Sequence, residues 1–143
     1  MFRSILVAID GSATAARALD AAGELAEALN SRLTIISVAP EVPGFAYSAG
    51  IDSKALEGEA QSETEKLIRD AVDSLPEQLP VTTILRHGHA GQRIVEQITE
   101  GQHDLLVIGS RGRSRVVSNL FGSVAAYVHF HSRVAMLVIH PED

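Results

Sequence analysis

Two kinds of apolar pattern alternate along the chain. Five short runs, SILVAI (4–9), LTIISVA (33–39), VTTIL (81–85), DLLVIG (104–109) and VAMLVI (134–139), are rich in valine and isoleucine and mostly lack polar interruption. Runs of this length suit strands that are covered on both faces, as in a parallel sheet. Between them apolar residues recur at helical spacing. Ala18, Leu19, Ala22, Leu25, Ala26 and Leu29 form the first such stripe. Leu56, Ala60, Leu67, Ile68, Ala71, Val72 and Leu75 form the second, and Ile94, Val95 and Ile98 the third. Ser12 is placed to cap the first helix, and Gly101 to stop the third.

Strict alternation of strand and helix predicts an α/β fold with right-handed crossovers, an open five-stranded parallel sheet with helices on both faces. VTTIL alternates more than the other runs and follows Pro80, which marks an edge strand. The predicted strand order is 3-2-1-4-5. In that order the chain reverses direction across the sheet between strands 1 and 4 and leaves a crevice at their carboxyl ends. Asp10 falls on one lip of the crevice and Gly109 on the other. PEVPGFAYSAG (40–50) reads as a Pro/Gly-rich loop placed to cover it.

Composition narrows the choice of function. At 143 residues and 45% hydrophobic content, the chain reads as one domain, 1–143, with an ordinary core. A net charge of -6 argues against a dedicated nucleic-acid protein, which needs a broad basic face. The absence of cysteine removes disulfides and thiolate metal sites. Asp10 stops the first apolar run before a signal-peptide core could form, and no run approaches the ~18–20 residues of a membrane span. A cytoplasmic protein with no membrane partner is the expectation.

The stretch GSRGRSRVVSNLFGS (109–123) is about twice as long as the usual 2–6 residue strand-to-helix connection. Its composition is that of an anion cradle. Glycines let backbone amides approach an oxyanion, the following helix start adds free N–H groups, and Ser123 can donate a hydroxyl. Arg111, Arg113 and Arg115 are candidate helpers, although their alternate spacing keeps them from all pointing inward. The competing reading is a plain surface loop whose glycines serve turns. No G-x-x-x-x-G-K-[ST] is present, and the only lysines, Lys54 and Lys66, lie in the second helical region, which excludes a P-loop NTPase. No G-x-G-x-x-G follows the first strand. A phosphoacceptor receiver domain would use Asp10, yet Arg86-His87 and His140-Pro141 stand where it needs an aspartate and a lysine.

Gly109, Gly112, Gly122 and Ser123 spell G-x2-G-x9-G-[ST], which resembles the nucleotide-binding signature of the universal stress protein family. ILVAIDGS in the first strand, SVAP (37–40) closing the second and an apolar last strand extend the resemblance over the whole chain. It implies the adenine nucleotide alpha hydrolase-like fold and an adenine nucleotide as ligand, ATP (or AMP/ADP) with Mg2+. It assigns Asp10 to the ribose with Ala8 on the pocket floor, and the backbone of Val38 to adenine. Ile108 becomes pocket wall, and Gly109 and Gly112 lie against ribose and phosphates. Gly122, Ser123 and Val124 hold the phosphates at the helix start. The resemblance also implies a homodimer through the last strand, Val134 to Ile139, in a stress-response or regulatory module that acts on a protein partner. Ser132-Arg133-Val134-Ala135 departs from the family's frequent proline before that strand. A slow ATPase of the same fold and a nucleotide-free interaction protein are the alternatives.

Asp10 has a second chemistry of its own, since an aspartate after a strand often caps the next helix. The six histidines invite a metal reading, above all His87-Gly88-His89 and His129-Phe130-His131. Gly88 marks a turn, and residues two apart on a helix diverge, so surface or helix-end roles are expected instead. RHGHAG (86–91) superficially resembles a histidine motif of nucleotidyltransferases but stands after the third strand instead of the first. No Ser/His/Asp set or carboxylate pair follows from spacing, so no catalytic residue is assigned.

Overall fold

The computed structural model describes residues 1–41, 44–50, 52–111 and 122–142. Its elements are β1 (Ser4–Ala8), α1 (Ala13–Leu29), β2 (Arg32–Ala39), α2 (Gly44–Ser48), α3 (Ser53–Ser74), β3 (Val81–His87), α4 (Ala90–Glu100), β4 (Leu105–Gly109), α5 (Ser123–His131) and β5 (Ala135–Ile139). All neighbouring strands pair in parallel, in the order β3-β2-β1-β4-β5. That is the predicted topology.

The apolar runs lack alternation because both faces of the sheet are covered. Ile5, Val7, Leu33, Ile35, Leu105 and Val107 pack with Ala15, Ala18, Leu19, Ala22 and Ala26 of α1 and with Ala71 of α3. On the other face Leu6, Ala8, Ile36, Leu106 and Ile108 pack with Ile94 and Ile98 of α4 and Ala125 and Val128 of α5. Each such Leu or Ile contributes about 1.5–3 kcal/mol by leaving water. The small stripe of α1 lets that helix lie close to the central strands. Its ends are set as the sequence suggests, with Ser12 Oγ accepting from Ala15 N–H at 3.1 Å. Asn30 closes the helix in the left-handed region at φ 55°. Gly101 is the C-cap of α4.

Several boundaries move by a residue or two. β1 ends at Ala8, although Ile9 N–H still donates to Ile36 O at 3.0 Å. β5 starts at Ala135 rather than Val134, because Ser132 Oγ takes up the Val134 N–H at 3.2 Å. β3 runs on to His87, its exposed Thr82 and Thr83 consistent with the predicted edge position. The 40–50 stretch holds a helical turn, α2, in place of the plain loop expected from its glycines and prolines. Ala49 N–H closes that turn on Phe45 O at 2.9 Å.

One histidine departs from the expected surface role. His103 is 8% exposed, just before β4. Its Nδ1 lies 2.9 Å from Ser4 Oγ and its Nε2 3.1 Å from Gln97 Nε2. With the Gln97 amide nitrogen facing the ring, Nε2 accepts and Nδ1–H donates to the serine. Burial lowers the pKa of this imidazole, Arg32 lowers it further, and Asp104 opposes both. Asp104 itself accepts from Arg3 N–H at 2.9 Å and Ser4 N–H at 3.0 Å, which ties the start of β4 to the start of β1. The other pairs behave as read from the sequence. Gly88 turns at φ 115°, His89 Nδ1 caps α4 by accepting from Gln92 N–H at 3.1 Å, and His129 and His131 sit in the last turn of α5.

Candidate functional site

The carboxyl ends of β1, β2 and β4 assemble the predicted site from three directions. Ala8, the last residue of β1, is buried and pairs with Ile36 of β2. Ile108 of β4 lies one step beyond the Val7–Val107 pair and is buried on the same face as Ala8. Val38, two residues past Ile36, is half-buried against that layer. The three form an apolar row facing the α4 and α5 side. Ser37, pointing the other way, donates from Oγ to Ile9 O at 2.9 Å and holds the end of β1 against β2.

Beyond β1 the chain turns through Asp10, Gly11 and Ser12. Gly11 adopts φ 88°, which a side chain would resist. Asp10 Oδ1 accepts from Ser12 N–H at 2.9 Å, and Ser12 then caps α1. The carboxylate is half-buried at the lip where it was expected. The carboxylate therefore closes the turn before α1, while the cap itself falls to Ser12, and this bond fixes the position of the group on that lip.

Gly109 closes β4 for a reason the sequence did not suggest. A Cβ placed there would lie 2.8 Å from Thr14 Cγ2 and 3.2 Å from Thr14 Cβ. Thr14, buried in the first turn of α1, packs directly over this position. The missing side chain at Gly109 thus admits α1 at the rim of the crevice.

Ser110 follows, 2% exposed. Its N–H donates to Ile139 O at 2.8 Å, and its carbonyl accepts from Gly122 N–H. Its hydroxyl has no hydrogen-bond partner and is the sole buried side-chain polar atom of that kind among the described residues. Gly122 is the N-cap of α5 at φ −62° and ψ 163°, and no side chain caps the helix. The first-turn N–H groups, those of Ser123 and Val124 included, therefore lack partners within the helix. Ser123 is exposed and Val124 half-buried. Arg111 is exposed. Gly112, Arg113 and Arg115 lie outside the described residues.

Among the described residues no group of three or more histidines and carboxylates is placed to hold a metal ion, and no helix is long and apolar enough to cross a membrane. A groove of about 710 Å³ opens at the opposite, amino end of the sheet, lined by Ser4, Arg32, Thr34, Gln97 and His103 among others. It contains none of the predicted site residues. Its innermost polar groups, Ser4, Gln97 and His103, are bonded to one another, so they have a structural use already. The carboxyl end holds the unpartnered Ser110 hydroxyl and the helix start that no side chain caps. Thr14 and Ser110 are the residues the sequence reading missed. Ser110 could have been found from its place beside Gly109, whereas Thr14 carries no local signal.

Comparison with known proteins agrees with this fold. A universal stress protein of Bacillus subtilis, YxiE, is 31% identical over 147 residues, covering 97% of this chain and 99% of the relative. The solved structure of UspA from Lactobacillus plantarum, 20% identical, shares the fold with a TM-score of 0.83 over 96% of this chain and 97% of the other. A universal stress protein solved in complex with cAMP is 26% identical, with a TM-score of 0.65 over 99% of each chain. The family model described as the universal stress protein family matches residues 1–140. With the sheet order and this match in agreement, the chain belongs to the universal stress protein family.

Proposed function

We propose that this chain binds an adenine nucleotide across the carboxyl ends of β1, β2 and β4 and serves as a homodimeric, cytoplasmic stress-response module. Its nucleotide occupancy controls which surface a protein partner meets. The observation that carries this reading is the start of α5. No side chain caps the helix, and its N-cap is a glycine whose φ of −62° is open to any residue. A glycine there, with no Cβ, leaves the helix start open to close approach by a bulky ligand. First-turn amides without a side-chain cap and the positive end of the helix suit phosphate oxygens.

The other assignments follow from chemistry at each position. Asp10, held by its own turn, accepts from sugar hydroxyls. Ala8, Val38 and Ile108 offer the apolar row for the base, with the Val38 backbone at the adenine edge. Gly109 and Gly112 border the ribose and phosphates, and Gly122, Ser123 and Val124 hold the phosphate end. ATP would bring Mg2+, which takes phosphate oxygens and waters and needs no all-protein cage. The cAMP complex of the 26% identical relative supports a nucleotide of this class.

The reading is tested by heat-denaturing purified protein, identifying released small molecules, and measuring thermal shifts with Mg-ATP, ADP and AMP. Recovery of an adenine nucleotide, or stabilisation of about 2.7 kcal/mol at a hundredfold excess over Kd, is expected. Gly122→Val should remove the shift and leave the circular dichroism spectrum intact. No released nucleotide and no shift with any of the three would overturn the proposal. An unchanged affinity in Gly122→Val would remove the α5 start from the site.

A further inference from the structure

A buried hydroxyl without a partner is costly, and proteins rarely keep one without use. Ser110 Oγ is such a group, in a residue 2% exposed. Its direction follows from the strand. A Cβ at Gly109 would meet Thr14 of α1, so residue 109 faces the α1 side. Ile108 packs on the opposite face, with Ala125 and Val128 of α5. Ser110 N–H pairs with Ile139 O and continues the β4 pattern by one residue, which places its side chain on the same face as Ile108. Its carbonyl holds Gly122 N–H, so Ser110 stands beside the uncapped start of α5.

We infer that Ser110 is a ligand-contacting residue, whose hydroxyl donates a hydrogen bond to a phosphate oxygen of the nucleotide seated on the α5 amides. This rests on the nucleotide reading above and adds a side chain to it. A phosphate oxygen only accepts, so the serine proton supplies the bond, and the unpaired state of the hydroxyl without ligand is the cost that binding relieves. The fold thus holds a donor in place before the ligand arrives, which reduces the ordering needed on binding.

Ser110→Ala separates this role from a structural one, because the two predict opposite signs. Without ligand the variant should melt about 3 °C higher than the parent, since an unsatisfied group has been removed. By calorimetric titration its affinity for Mg-ATP should fall roughly ten- to a hundredfold, the loss of one hydrogen bond to a charged acceptor. Inorganic tripolyphosphate is the second probe, and its stabilisation of the parent should shrink in the variant by a similar factor. A variant that melts lower without ligand would show that the hydroxyl has a structural partner and overturn the inference. Equal affinities in parent and variant would overturn it while leaving the nucleotide reading intact. A parent that binds neither probe would defeat both.

Discussion

Gly109→Ala puts the packing at the crevice rim to a quantitative test. The added methyl lands 2.8 Å from Thr14 Cγ2, about 0.7 Å inside the ~3.5 Å of a comfortable carbon–carbon contact. Thr14 is β-branched, buried and in the first turn of α1, so neither its side chain nor its helix yields cheaply. Overpacking of this kind costs about 1–3 kcal/mol. The glycine is in a strand and not among those with positive φ, so alanine returns about 0.4–1 kcal/mol by restricting the unfolded chain. The net loss should be about 0.5–2 kcal/mol. With a urea slope near 2 kcal/mol/M, the unfolding midpoint should fall by roughly 0.3–1 M. Thr14→Ser deletes the clashing methyl, and a double-mutant cycle should show that most of the cost of Gly109→Ala disappears in that background. An alanine variant as stable as the parent, or one whose cost is the same with serine at 14, would refute the steric account of this glycine.

His103 gives a pH dependence of defined sign. Burial holds its folded-state pKa below the ordinary 6.5, so the fold favours the neutral ring and the unfolded chain binds more protons. Its contribution is complete above pH ~6.5 and declines as the pH falls from there through the folded value. Urea midpoints between pH 8 and 5 should drop on the acid side in the parent and drop less steeply in His103→Gln; parallel profiles would exclude the imidazole as the cause. For the proposed homodimer, Val138→Asp should shift sedimentation towards the monomer while helix content persists. An unchanged sedimentation profile in a folded variant would rule out pairing through β5.

The sequence made the central sheet legible because burial on both faces leaves one simple trace, an unbroken apolar run. Ile5 to Val7, Ile35 and Ile36, and Leu105 to Val107 show it, and strand order followed from ranking such runs. The first lip of the crevice was legible too, since Asp10 and Ser12 act within a few residues of their own positions. Contacts between distant segments were not. His103 takes its partners from β1 and α4, and nothing near it announces a buried imidazole. The clash that demands glycine at 109 comes from Thr14, which is 95 positions earlier by the numbering. Segment 40–50 was misjudged because glycine and proline count against long helices but do not forbid a single turn.

The hydrogen bond from Gly122 N–H to Ser110 O brings the chain back to the point at which it left β4. The two residues that flank positions 111–121 are thus bonded to each other. For such a closed excursion, doubling the length costs only ~0.6 kcal/mol in closure entropy. The sheet and α5 would therefore accept a shorter or longer segment with little penalty. If its length is held to one value, the proposed nucleotide, and not the closed stem, is the expected source of the constraint. Insertions there should separate binding from folding, since they would spare the hydrogen-bonded stem and change only the reach of the residues between.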